Sequence, residues 1–205
     1  MRYLGGRRDA IAKERQRMRL SKTGYYADFG IYATIVTTAS IVTAWRSTGY
    51  EMSIWLLTAA IGFTFWTFSE YIIHRFVLHQ IEPFAAMHDA HHEDPVAFVG
   101  TPTWLSLGII LGVVFLPAWA LGSFNTACGL TVGVMAGFFW YGVVHHAIHH
   151  RKPRTIATRL IMASRRHAQH HYSREAGNFG VTTSIWDHLF GTTLSVAGER
   201  TAQAE

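Results

Sequence analysis

The sequence predicts an all-α integral membrane protein with four transmembrane helices and a cytosolic helical cap. Three observations carry this reading. Four stretches without a charged side chain, residues 29–45, 53–69, 103–122 and 126–144, are each 17 to 20 residues long, and a helix of about 20 residues, or about 17 at the least, crosses a hydrocarbon core. The basic residues sit at the two ends: eight of the 18 Lys and Arg precede residue 23, eight lie from Arg151 onward, and only Arg46 and Arg75 fall between. Charged residues make up 15% of the chain and hydrophobic ones 49%, which is lean in charge for a soluble protein of this size.

Taken in chain order, the first element is a basic arm, residues 1–28, opening with "MRYLGGRRDAIAKERQRMRLSK". Such an arm suits anionic lipid headgroups and fixes topology. The first apolar run begins too far in to be a secretory signal peptide. The first two spans are short on their own and credible within a bundle. None of the four has the polar face that a soluble amphipathic helix shows, which argues against a soluble four-helix bundle.

The Arg-rich arm places the N-terminus in the cytoplasm, and four crossings return the basic C-terminal third to the same side. Residues 74–102 and everything after 144 then face the cytoplasm, as do both termini. The membrane domain is read as residues 29–193, followed by a polar tail, 194–205. The net charge of +5 does not imply a nucleic-acid partner, because the charge flanks an apolar middle instead of lining one face. The single Cys128 excludes an internal disulfide framework and an all-cysteine metal site.

The chain has 13 histidines, and all of them fall in the two cytoplasmic segments. Twelve occupy four short runs: "HRFVLH" (His74, His79), "HDAHH" (His88, His91, His92), "HHAIHH" (His145, His146, His149, His150) and "HAQHH" (His167, His170, His171). Positions i, i+3 and i+4 share a helix face, so each HxxHH run is expected to aim three rings into one region. His145 pairs with His149 one turn on, and His146 with His150. His74 and His79, five apart, diverge on a regular helix; either the helix ends between them or each serves a different metal. So many protonated rings would repel one another, whereas neutral imidazoles converging on cations are stabilised. The runs therefore predict a histidine-rich dimetal site on the cap. Imidazole alone does not choose among iron, zinc, copper and nickel.

The order HxxxxH, HxxHH, HxxxH, HxxHH resembles the fatty acid hydroxylase superfamily, the membrane histidine-box oxygenases that include sterol desaturases. "SEYIIHRFVLH" and "NFGVTTSIWDHLFGT" resemble the fatty acid 2-hydroxylases in particular, and the likeness covers roughly residues 55–193. It implies ten metal ligands: His74, His79, His88, His91, His92, His145, His149, His167, His170 and His171. The third run is ambiguous, and His145 and His149 are preferred because "YGVVHHAIH" best matches the family's Tyr-x-x-x-His-x-x-x-His pattern. Glu70, Asp187, His146, His150 and His188 are candidates for support behind the ligands, Glu70 by taking the second N–H of His74.

The resemblance also implies oxygen-dependent attack on an unactivated C–H bond of a fatty acyl chain. Zinc cannot cycle between oxidation states, so two iron ions are expected in the working protein, even where zinc is found in a purified form. An all-histidine shell carries no charge of its own, so Glu70, Asp89, Glu93, Asp94 and Asp187 are candidate acids to offset the cations. Electrons are expected from an external donor, a cytochrome b5 or a ferredoxin with its reductase, since the chain has no room for a cytochrome b5 domain. Pro95, Phe98, Pro102 and Trp104 are candidates for shaping a lipid entrance from the bilayer. The alternatives are a carotenoid hydroxylase, a sterol or lipid desaturase, or a membrane metal-handling protein without catalysis. Uncharged, histidine-free spans speak against a transporter, whose ligands would sit near the bilayer midplane.

Overall fold

The computed structural model describes residues 19–151 and 158–194. Most of the basic arm and the polar tail lie outside the described residues. Those described form helices and no strand: α1 (Lys22–Arg46), α2 (Gly49–Ile72), α3 (Phe84–Glu93), α4 (Thr103–Leu121), α5 (Phe124–His150), α6 (Thr158–Tyr172) and α7 (Ile185–Leu189). Four helices are long and apolar enough to cross a membrane: α1, α2 with its continuation to Leu78, α4 and α5.

Local chemistry sets the helix starts. Ser21 caps α1 by accepting the Gly24 N–H at 3.0 Å. Thr48 and Glu51 form a reciprocal capping box at the start of α2, which satisfies two donors that the first turn leaves free. Ser123 caps α5 from the Thr126 N–H. In α4 the ring of Pro117 supplies no N–H, and the turn just before it, Leu111–Phe115, winds as a π-helix. A local π turn is one way a helix absorbs the missing bond.

The central pair is α2 and α5. They approach closely because glycine lines the contact: a Cβ on Gly133 would collide with the Ala59 carbonyl, and one on Gly62 with the Leu130 carbonyl. Small residues four apart permit such backbone approach within a membrane. Tyr32 of α1, Trp66 of α2, Ile110 of α4, and Val134 and Met135 of α5 form a buried apolar cluster that joins all four spans. Large apolar side chains cover the outside instead of hiding, among them Ile41, Leu57, Val113 and Leu121. Such a surface is costly in water and suited to lipid.

The spans run past their apolar stretches, and that extension positions the site. Helix α2 continues through a π-helical stretch, Ile73–Leu78, and α5 runs on to His150. Their ends carry His74, His79, His145 and His149 to the level of α3 and α6, which lie across the end of the bundle.

Candidate metal centre

Two histidine clusters stand side by side. His74, His79, His88, His92 and His170 present one nitrogen each within 4.8 Å of one another, and His91, His145, His149 and His167 do the same. His171 sits between them: its Nε2 is 3.1 Å from that of His167, and its ring stacks on His92 with centroids 4.2 Å apart. The structure thus brings all ten expected positions together.

Two expectations need correction. His74 and His79 neither diverge nor separate; the π-helical winding between them stacks the two rings at 5.3 Å and 16°, and both join the first cluster. A helix with i→i+5 bonding returns a residue five places on to the same side. Nor does each HxxHH run fill one region. On α3, His88 and His92 enter the first cluster and His91 the second; on α6, His170 enters the first and His167 the second. Each of these helices therefore spans both clusters and fixes their separation.

His145 and His149 enter the second cluster, whereas His146 and His150 lie outside both. His146 Nδ1 is 3.2 Å from the Tyr25 hydroxyl, and the His150 ring stacks on Phe98, so this pair fastens α5 to α1 and to the loop after α3. His188 is exposed, with its Nδ1–H donating to the Ser184 carbonyl at 2.7 Å, and it too stands outside the clusters.

The loop over residues 177–182 orients the ligands. His170 Nδ1–H donates to the Gly177 carbonyl at 2.9 Å, and His74 Nδ1–H donates to the Phe179 carbonyl. Contrary to the expectation from sequence, Glu70 does not take the His74 proton, which goes to the Phe179 carbonyl; it acts one step back. Its Oε1 accepts the Val181 and Thr182 N–H groups at 2.6 and 3.0 Å, and its Oε2 accepts the Thr182 hydroxyl. Asp187 grips the same loop, accepting the Phe179 and Gly180 N–H groups at 2.8 Å each. Asn178, at φ 53°, donates to the Gln169 side chain and accepts the Leu194 N–H. Among the other acids, Asp94 pairs with Arg19 at 2.8 Å. Tyr141 stacks on His145 at 5.4 Å and 11°. The orienting carbonyls of Gly177 and Phe179 are main-chain groups, which side-chain spacing does not announce.

The donor set fits metal ions. With Nδ1 protonated, a neutral His74 or His170 points the Nε2 lone pair inward. Nε2 atoms face each other at 3.0 Å between His74 and His88, 3.0 Å between His88 and His92, and 2.9 Å between His149 and His167. Two nitrogens bound at right angles about 2.1 Å from one ion stand about 3.0 Å apart. His91 Nε2 is buried without a hydrogen-bond partner, and so costly an atom wants a ligand to satisfy. Burial, and then the neighbouring rings, hold His88 well below the ordinary histidine value, His91 at about 3 and His171 at about 2. Burial and His79 hold His92 at about 4, and burial holds His170 at about 3 against the Gly177 bond that raises it. Neutral imidazole is the form that binds metal.

Two spaces meet the centre. A cavity of about 170 Å³ runs among the spans, walled by Phe29, Trp66, Phe138 and Phe139 and reaching His74, His88, His91 and His145. On the other side a cleft of about 620 Å³ is lined by Arg75, Asp89, Arg174, Glu175, His79 and His92, among others.

Buried all-histidine clusters at the end of a four-span apolar bundle define a histidine-box membrane protein. The fatty acid hydroxylase family model matches residues 59–192, and the chain belongs to that family. It is 31% identical over 157 residues to the dihydroceramide fatty acyl 2-hydroxylase FAH1 of Arabidopsis thaliana, covering 70% of this chain and 63% of that protein. It is 28% identical over 186 residues to the fatty acid 2-hydroxylase of Mus musculus, covering 82% of this chain and 49% of that protein. The chain thus spans between about half and under two thirds of these relatives' lengths. The solved hydroxylase domain of scs7p has the same fold, with a TM-score of 0.72 at 23% identity over 87% of this chain and 68% of that one.

Proposed function

We propose that the protein is a membrane-bound, oxygen-dependent lipid hydroxylase that acts on a fatty acyl chain through a histidine-ligated di-iron centre. The observation that carries this reading is the pair of adjacent histidine clusters at the foot of an apolar cavity open to the bundle interior. Family membership and relatives named as acyl and fatty acid 2-hydroxylases support it.

In this reading His74, His79, His88, His92 and His170 hold one ion and His91, His145, His149 and His167 the other, with His171 beside the second. The ions supply redox chemistry that activates dioxygen toward a C–H bond. The chain's own residues do the rest. Phe29, Trp66, Phe138 and Phe139 exclude water and guide an acyl chain toward the rings. The carbonyls of Gly177 and Phe179 hold His170 and His74 in the tautomer that leaves Nε2 free. Glu70 and Asp187 keep those carbonyls in place. The polar cleft beside His79 and His92 gives water a route apart from the lipid.

The histidine clusters and both termini face the cytoplasm by the distribution of basic residues, where a cytochrome b5 or a ferredoxin with its reductase would deliver electrons. Expression in cells that supply reductase and iron, with mass spectrometry of total lipids under ¹⁸O₂, tests the function. Hydroxylated acyl chains carrying one ¹⁸O are expected. An unchanged lipid profile alongside stoichiometric metal would favour a metal-handling protein. Metal analysis of the purified protein is expected to give two iron ions per chain.

A further inference from the structure

Two carboxylates line the cavity, Asp28 and Glu70. Glu70 is fully engaged with Val181 and Thr182. Asp28 is not: its Oδ1 is buried and has no hydrogen-bond partner in the protein. The Thr103 hydroxyl serves the other side of the carboxylate, and the remaining hydroxyls nearby are committed elsewhere. The Tyr25 hydroxyl is joined to His146 and the Tyr32 hydroxyl to Ser106. Asp28 stands one helical turn before Tyr32 on α1, outside the segment that matches the family model. A buried carboxylate oxygen without a donor is expensive, and this one faces the same cavity as His74, His88, His91 and His145.

An acyl chain that enters this cavity brings one polar end with it. In an acyl amide the N–H lies two bonds from the carbon next to the carbonyl, so a group that grips the amide also places that carbon. A free fatty acid offers no N–H. Two carboxylates facing one another in a low-dielectric cavity cannot both ionise at ordinary cost. We propose that Asp28 is the selectivity residue for the polar end of the substrate: its Oδ1 accepts the N–H of an uncharged acyl amide, or a hydroxyl beside it, and discriminates against the free acid. The inference rests on the lipid hydroxylase reading above and adds the residue that chooses among acyl substrates.

The test uses the full chain with its metal in nanodiscs, as wild type, D28N and D28L. An N-acylsphinganine and the matching free fatty acid compete for turnover, and the product ratio is read by mass spectrometry. In parallel, quenching of tryptophan fluorescence by brominated forms of the two lipids measures binding without turnover. Hydrogen bonds to charged groups are worth enough that the wild-type preference for the amide is expected to fall about tenfold in both variants and in both readouts. D28N retains side-chain size and guards against misfolding of D28L. An amide-to-acid ratio unchanged within twofold in both variants overturns the inference. Should the wild type hydroxylate neither lipid, the hydroxylase reading fails, and the quenching titrations still decide the role of Asp28.

Discussion

The Glu70 carboxylate and the Val181 N–H are 111 positions apart in sequence and 2.6 Å apart in space. Through this contact the end of a transmembrane helix holds the loop that orients two histidines. Glu70 meets three donors with its two carboxyl oxygens, and a glutamine keeps one acceptor oxygen and adds an unwanted donor. Glu70→Gln is therefore expected to loosen the Gly177 and Phe179 carbonyls and weaken metal retention by roughly 10- to 100-fold, the usual cost of losing an outer partner of a ligating histidine. Metal remaining after a graded chelator challenge measures this. Retention equal to wild type would mean the loop holds its place without Glu70.

The doubled third run allows a paired comparison. His149→Ala removes a nitrogen from the second cluster, whereas His146→Ala removes a contact to Tyr25 on α1. On the proposed di-iron reading, the first variant is expected to lose one ion of two and all turnover. The second is expected to keep both ions and lose roughly 0.5–1.5 kcal/mol of stability, the worth of one hydrogen bond. Metal stoichiometry beside thermal melting separates them, and the opposite pattern would reassign the run.

Much of the site was legible in the sequence because metal chelation demands side chains, and histidine spacing is visible on the page. The pairing of His145 with His149 could be preferred from a family pattern, but its contrast with His146 and His150 depended on where Tyr25 and Phe98 pack. The five-residue step from His74 to His79 was opaque because a 3.6-residue period places the rings on different sides, and only the π turn reunites them. The loop carbonyls were invisible for a different reason: any residue offers one. Asp28 falls at the end of the basic arm, where nothing in the sequence marks it, and only the fold puts it on a cavity wall.

The close approach of α2 and α5 underlies the spacing of His74 and His145. A side chain on Gly133 meets the Ala59 carbonyl, a backbone atom that cannot swing away. Gly133→Leu must push the helices apart, and overpacking of this kind costs roughly 1–3 kcal/mol or more. The variant is expected to melt at lower temperature and bind less metal. Gly108→Ala, where nothing lies within 4 Å of the new methyl, serves as the control. It is expected to leave both unchanged or to raise stability slightly through helix propensity.

Acid should dismantle the centre from its cap side. His91, His92, His170 and His171 are held at about 3, 4, 3 and 2, below the ordinary value of 6.5. Because the folded values lie below the unfolded one, the unfolded chain takes up protons that the folded site refuses once the pH falls under 6.5. The stabilisation is complete above that point and drains away as the pH drops toward 4 and below. Metal ions compete with protons for the same lone pairs, so release and unfolding should fall together. Melting temperature and bound metal, followed from pH 8 to pH 4, are expected to decline below about 6.5 with a slope of more than one proton. His91→Gln and His171→Gln should each make that slope shallower, since each removes one group that protonates on unfolding. A flat profile down to pH 4 in the wild type would show that these rings are not the neutral, buried donors their packing describes.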